Sequence, residues 1–292
     1  MRRFFDIKRF FGATLFSVFI FTGFLPPLPD LTEKVVKVGT AVTKAARPIS
    51  PEEEYYIGRS VAARILASYK LLNNDAFTTY INLTGQTIAF HSETPFTYGG
   101  YHFAVLDSKE INAFACPGGI IFITKGMIDL AVNEDQLAAI LAHEVAHINH
   151  KDGIGAIQSS RWSEALTVVG SEAAKQYTSG QVSQLLNIFE GSIDDVFKSL
   201  VTSGYSKSQE YAADESALVY LRASGYNPSA LKDVLNNLQG KASAAGGGVF
   251  KTHPSTADRI ANISAKLTAS QVSEFFEVRT KRFSEQYGSF VR

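Results

Sequence analysis

The sequence predicts an α+β domain, mainly helical, with one small three-stranded sheet. Helical spacing of apolar residues recurs over 51–91 and again from 133 onward. Only the stretch 101–124 shows short β-type runs separated by turn signals.

The elements are taken in chain order. Residues 1–9 hold Arg2, Arg3, Lys8 and Arg9 against the single acid Asp6, and residues 10–25 are uncharged and apolar before Pro26-Pro27. That pattern is an export signal or a short membrane anchor, and it delivers the rest of the chain to the far side of the membrane, an extracytoplasmic or periplasmic location. Residues 26–50 read as a linker, and 51–292 as the folded domain. Ser50 caps a helix with Pro51 at its first position and Glu52, Glu53 and Glu54 in its first turn. Its apolar stripe is Ile57, Val61, Ile65, Tyr69 and Leu72, and Asn73-Asn74 ends it. A second helix over 75–91 buries Phe77, Ile81, Thr84 and Ile88.

Strands are expected at 101–106, 111–115 and 119–124, with turns at Asp107-Ser108 and Pro117-Gly118. The last strand leads straight into a short helix, a position from which a strand can take up an extended peptide as a further strand. An ordinary sheet interior is the other reading. Asn133 caps the next helix, which runs to His150 without Gly or Pro and is closed by Lys151-Asp152-Gly153. Further helices are marked by Trp162 to Ala173, by Val182 through Leu200 with a charged face of Glu190, Asp194, Asp195 and Lys198, and by the run after Asn227-Pro228. A flexible loop comes next over 241–248, then a helix over 255–267 and an aromatic, basic tail that packs on the domain.

Lys+Arg and Asp+Glu are equal at 28 each, so no net field recruits nucleic acid. The single cysteine, Cys116, excludes an intramolecular disulfide. Nothing in the composition specifies an oligomeric state.

The chemistry concentrates at His143-Glu144-Val145-Ala146-His147. On a helix, positions four apart share a face about 6 Å apart along the axis, so His143 and His147 can offer two imidazole nitrogens to one metal ion. Glu144 falls beside that ion rather than on it. Zinc takes two imidazoles, a third protein ligand and a water whose pKa it lowers to about 7, and an adjacent carboxylate can then accept the proton. The helix is apolar nearly all round, so it is buried, and buried histidines need partners. His150 is the nearest third donor, but it lies roughly 10.5 Å from His143 along the axis. Glu210 is the better candidate: Ser206 and Gln209 form a capping box, which puts Glu210 and Asp214 on one face of a new helix. Asp214 can then orient a ligating imidazole through its far nitrogen.

His143-Glu-Val-Ala-His147, Glu210-x-x-Ala-Asp214, the upstream Asn112-Ala-Phe-Ala-Cys-Pro-Gly-Gly119 and the downstream Thr252-His253-Pro254-Ser-Thr-Ala-Asp-Arg259 together resemble the M48 family of zinc metallopeptidases. The resemblance implies a zincin-like (gluzincin) fold. It also implies an endopeptidase that acts on protein or peptide substrates, with one Zn2+ per chain held by His143, His147 and Glu210 and with Glu144 as base. The strand carrying Asn112, Ala113 and Phe114 would border the substrate cleft. His253 would lie near the metal, either as an oxyanion donor or as a resting-state plug of the fourth zinc position, and Arg259 would be the arginine of the same motif. Lys207 stands where relatives usually have Arg. Without multiple membrane spans or a tetratricopeptide array, the chain looks most like the compact, exported bacterial members, with envelope or misfolded proteins as substrates. A rival function is a chaperone or adaptor that holds extended clients in the cleft without cutting them, which would need no Glu144.

Overall fold

In the computed structural model, the described residues are 48–157, 187, 189–241, 249–253, 256–267 and 275–290. The expected export signal or anchor, most of the expected linker, the expected helix at 162–173, the start of the expected helix at 182–200 and the expected loop at 242–248 lie outside them. Among the described residues no helix is long and apolar enough to cross a membrane.

Helix α1 (Pro51–Ser68) begins at the expected capping box, with Glu53 N–H donating to Ser50 Oγ and Ser50 N–H donating to Glu53. It ends four residues before Leu72, earlier than its apolar spacing suggests. Leu71 instead bridges to Leu106, and Leu72 N–H donates to Val105 O at 2.8 Å, so this segment seals an edge of the sheet. Helix α2 (Asp75–Phe90) comes next, capped by Asn74.

The sheet consists of β1 (His102–Leu106), β2 (Ala113–Cys116) and β3 (Ile120–Thr124) in the order β1-β3-β2. A 3-10 turn, Pro117–Gly119, joins β2 to β3, with Gly118 at φ 77 against the Tyr55 backbone, where a Cβ would have no room. Of the two readings of the last strand, the sheet interior is the one observed. β3 is central, parallel to β1 on one side and antiparallel to β2 on the other, so its ladder groups are engaged on both sides. β2, which begins beside Asn112, lies at one edge of the sheet, and β1, bridged by Leu71, at the other. Side chains alternate between two apolar layers. Phe103, Val105, Ile121 and Ile123 join the larger core, whereas Phe114, Cys116 and Phe122 join a second core with Ile57, Val61 and Ile65. Burial on both faces explains why Ile120-Ile-Phe-Ile123 is a continuous apolar run rather than an alternating one.

A short helix α3 (Lys125–Ile128) leads to α4 (Glu134–Asn149), in which every residue from Glu134 to Ile148 is buried. Lys151, at φ 57, is the left-handed residue that turns the chain, and Gly153 sits inside the next short helix, α5 (Asp152–Gly155). The glycine expected to close α4 serves packing instead: a Cβ on Gly153 would press on Pro117. Helix α6 (Glu190–Lys198) buries Ile193 and Val196 and continues into one π-helical turn, Ser199–Ser203. Helices α7 (Lys207–Ala223), α8 (Ser229–Lys241), α9 (Val249–Thr252), α10 (Thr256–Ser264) and α11 (Phe276–Phe290) complete the described chain. The aromatic tail packs inward as expected, with Phe283 and Phe290 buried and Phe290 stacked on Phe77.

Candidate metal centre

Helix α4 is the platform. Asn133 caps it by accepting from Gln136 N–H at 2.9 Å, and its helical repeat sets the His143 and His147 rings 4.6 Å apart, nearly perpendicular. At its end, left-handed Lys151 folds the chain back so that Asp152 Oδ2 accepts from His147 Nδ1 at 2.7 Å. Helix α7 crosses behind. Its Ser206 and Gln209 form the expected capping box, and Gln209 Nε2 also donates to Asp152 Oδ1 at 3.0 Å. One turn in, Glu210 and Asp214 are wholly buried.

The donor atoms converge. His143 Nε2 lies 3.1 Å from His147 Nε2, 3.5 Å from Glu210 Oε2 and 3.4 Å from His253 Nδ1. His147 Nε2 is 3.5 Å from Glu210 Oε1, and His253 Nδ1 is 2.8 Å from the same oxygen. Four tetrahedral bonds of about 2.05 Å separate neighbouring donors by about 3.3 Å, and the observed spacings bracket that value. One ligand atom from each of His143, His147, Glu210 and His253 falls within 4.8 Å of all the others. Glu210 Oε2 lies between the Arg259 guanidinium, 2.8 Å from Nη1, and His143 Nε2 at 3.5 Å, and takes no hydrogen bond of good geometry among the described residues.

The surrounding groups fix which nitrogen is free. Asp152 on His147 Nδ1 and Asp214 Oδ1 at 3.0 Å from His143 Nδ1 keep the protons on the δ nitrogens, so both ε lone pairs face inward. Arg259, itself buried, forks onto Asp214 through Nε and Nη2 at 2.8 and 2.6 Å. Burial opposes ionisation of Asp214, but Arg259 and His143 outweigh it and bring its pKa to about 2. Glu210 is held well below the usual carboxylate range by His253 and Arg259 against the same desolvation. Asp152 is lowered by its bond to His147, again against burial. Glu144 is buried beside this cluster, and its Oε2 has no hydrogen-bond partner among the described residues.

The expected residues thus meet: His143, His147 and Glu210 as one donor set with His253 as a fourth, Glu144 adjacent, and Asp214 and Arg259 behind. Asn112, Ala113 and Phe114 are buried along β2, with Asn112 Oδ1 accepting from Thr252 Oγ1 at 3.4 Å next to His253. His150 is turned away, its Nε2 3.0 Å from Ser216 Oγ, and His91 and His102 are exposed. Lys207 is also outside the site, paired with Asp258 at 2.7 Å on the surface. Sequence reasoning missed Asp152, Gln209's bond to it, and Tyr205, whose ring stacks on His147 at 4.1 Å. The only signal for Asp152 was an acid just past the end of a histidine-bearing helix.

The sequence profile described as Peptidase family M48 matches residues 76–267. The chain belongs to this family of metallopeptidases. Its M48 relatives include the beta-barrel assembly-enhancing protease of Escherichia coli K12, 26% identical over 262 residues, 88% of this chain and 52% of that protein. Metalloprotease LoiP of the same organism is 27% identical over 59% of this chain and 64% of its own length. The mitochondrial metalloendopeptidase OMA1 of Schizosaccharomyces pombe is 31% identical over 58% of this chain and 47% of its own. The chain spans about half the length of the first of these M48 relatives.

Proposed function

We propose that the chain is a zinc-dependent endopeptidase that hydrolyses peptide bonds of envelope or misfolded proteins outside the cytoplasm. The observation that carries the reading is a buried cluster of four converging donor atoms beside a carboxylate, Glu144, one oxygen of which has no partner among the described residues. In this proposal His143, His147 and Glu210 hold the ion. Zinc bound there supplies Lewis acidity, acidifying water and polarising a substrate carbonyl. Glu144 takes the proton from the attacking water at its free oxygen and passes it to the leaving amine. Asp152 and Asp214 keep the two imidazoles in the tautomer that leaves Nε2 open. His253 is the fourth donor at rest and swings aside for substrate. The strand at Asn112 to Phe114 borders the cleft.

The location and substrate class rest on the basic start and apolar run over 1–25 and on the name of the E. coli relative, which concerns beta-barrel assembly. Glu144 weighs against a chaperone that only holds clients, because binding needs no general base. The test is zinc content and casein cleavage for the wild type and Glu144→Gln side by side. Zinc should remain in both, while turnover falls by a factor of about 10² to 10⁴ in the variant. Unchanged hydrolysis in Glu144→Gln would sink the mechanism.

A further inference from the structure

A cavity opens directly beside His143 and Glu144, between α4 and α8. Its polar lining among the described residues is confined to the site itself: His143, Glu144, His253 and Arg259. The rest of the wall is apolar, with Met127 and Ile140 on one side, Leu231, Leu235 and their neighbours on α8 opposite, and Val249 at the end. Val249 is fixed there because its N–H donates to Ile111 O at 2.8 Å, which ties this wall to the start of the β2 segment. The wall is therefore built on four elements, α3, α4, α8 and α9, rather than on one side chain. The cavity volume is about 30 Å³. A water needs roughly 10–15 Å³ of such volume, so the space takes two or three heavy atoms.

We infer that this cavity is the specificity pocket for one of the two residues flanking the scissile bond, and that it selects a small aliphatic side chain, alanine to valine in size. The inference rests on the peptidase reading of the adjacent site. A peptide whose carbonyl reaches the donor cluster next to Glu144 places a neighbouring side chain against this mouth. A charged side chain would enter an apolar wall with no partner beyond the site's own groups. A leucine or phenylalanine would have to displace α8 or Met127, and close-packed walls resist that. One methylene more or less in such a pocket changes rates by about tenfold or more.

The test uses the full zinc-loaded chain and an unbiased peptide mixture, with cleavage sites read by mass spectrometry. Alanine or valine should exceed phenylalanine, tryptophan, aspartate and lysine about tenfold or more at one flanking position. Leu235→Ala and Met127→Ala, each checked for fold by circular dichroism and for zinc content, should shift that position toward leucine and phenylalanine. A second arm measures, by calorimetry, binding of peptides differing at that one residue to zinc-loaded Glu144→Gln, and the same order should hold. Cleavage with no preference at either flanking position overturns the pocket while the peptidase reading stands, as does a wild-type preference retained in both folded variants. Binding in the expected order to Glu144→Gln, with no cleavage by the zinc-loaded wild type, supports the pocket's selectivity and overturns the peptidase reading.

Discussion

Asp152→Ala is the sharpest test of how the imidazoles are set. Asp152 Oδ2 accepts from His147 Nδ1 at 2.7 Å, and the His147 side chain is fully buried, so no water replaces the lost acceptor without rearrangement. An unsatisfied buried donor costs about 1–3 kcal/mol, and loss of an acceptor behind a ligating histidine weakens metal binding by about 10–100-fold, or roughly 1.4–2.7 kcal/mol. Both routes give the same size. Gln209 loses its partner as well, but its capping bonds to Ser206 remain, so α7 should keep its start. Asp152→Asn keeps an acceptor oxygen without the charge and should fall within about tenfold of wild type. A competition titration against a fluorescent zinc chelator at fixed pH reads these affinities, with thermal melts to confirm the fold. Wild-type affinity in a folded Asp152→Ala chain would mean that the His147 tautomer is set elsewhere, and the account of the site would fail at that point.

Glu210→Ala should lose zinc while His150→Ala, whose ring lies on Ser216, keeps it; full zinc occupancy in the first would remove Glu210 from the ligand set. His253→Ala should keep zinc, match or exceed wild-type rates on small peptides and cleave itself, since the fourth donor no longer covers the ion; reduced activity without self-cleavage would favour an oxyanion-donor role. Zinc affinity should fall as pH falls. For His143, burial and Arg259 push the pKa down, but Asp214 and Glu210 outweigh them; for His147, burial is outweighed by Asp152 and Glu210, so both metal-free values lie above 6.5. A raised imidazole pKa means that protons are held more tightly and compete from above pH 6.5 downward, with log Kd rising by up to about two per pH unit as two protons are displaced. A pH-independent Kd between 8 and 5.5 would contradict the assignment of both histidines.

What the sequence made legible was local. The two histidines on α4 and the capping box at Ser206 and Gln209 depend on spacing within one helix, and both stand as expected. Glu210 was within reach because a helical face is set by its own turn. Asp152 was not, because its position depends on one left-handed residue, Lys151, whose side chain gives no propensity for it. Strand order was hidden for another reason: three short apolar runs do not state which lies between the others, so peptide-accepting strand and sheet interior stayed open for β3 until its central place was seen. Tyr69 and Leu72 kept helical spacing while the chain had already left the helix, because pairing with Val105 and Leu106 outweighed the propensity to continue. Arg259 carried no signal of its own outside the family motif, since its partners are 45 and 49 positions upstream (259 − 214 and 259 − 210).

The buried Glu134 at the start of α4 has a consequence for how the molecule folds. It accepts from Tyr80 and Tyr226, each at 3.0 Å, and pairs with Arg282, partners on or beside three other helices and 54, 92 and 148 positions away. None of these can form from local structure, and contacts so distant in sequence arrive late. A collapsed chain that buries α4 before all three arrive carries a carboxylate with missing partners, at a cost of about 3–5 kcal/mol. Half-assembled forms of this region are therefore disfavoured. The first residue of the helix bearing the histidines is fully partnered only when α2, the turn between α7 and α8, and α11 have docked around it, so the platform of the donor cluster depends on long-range docking.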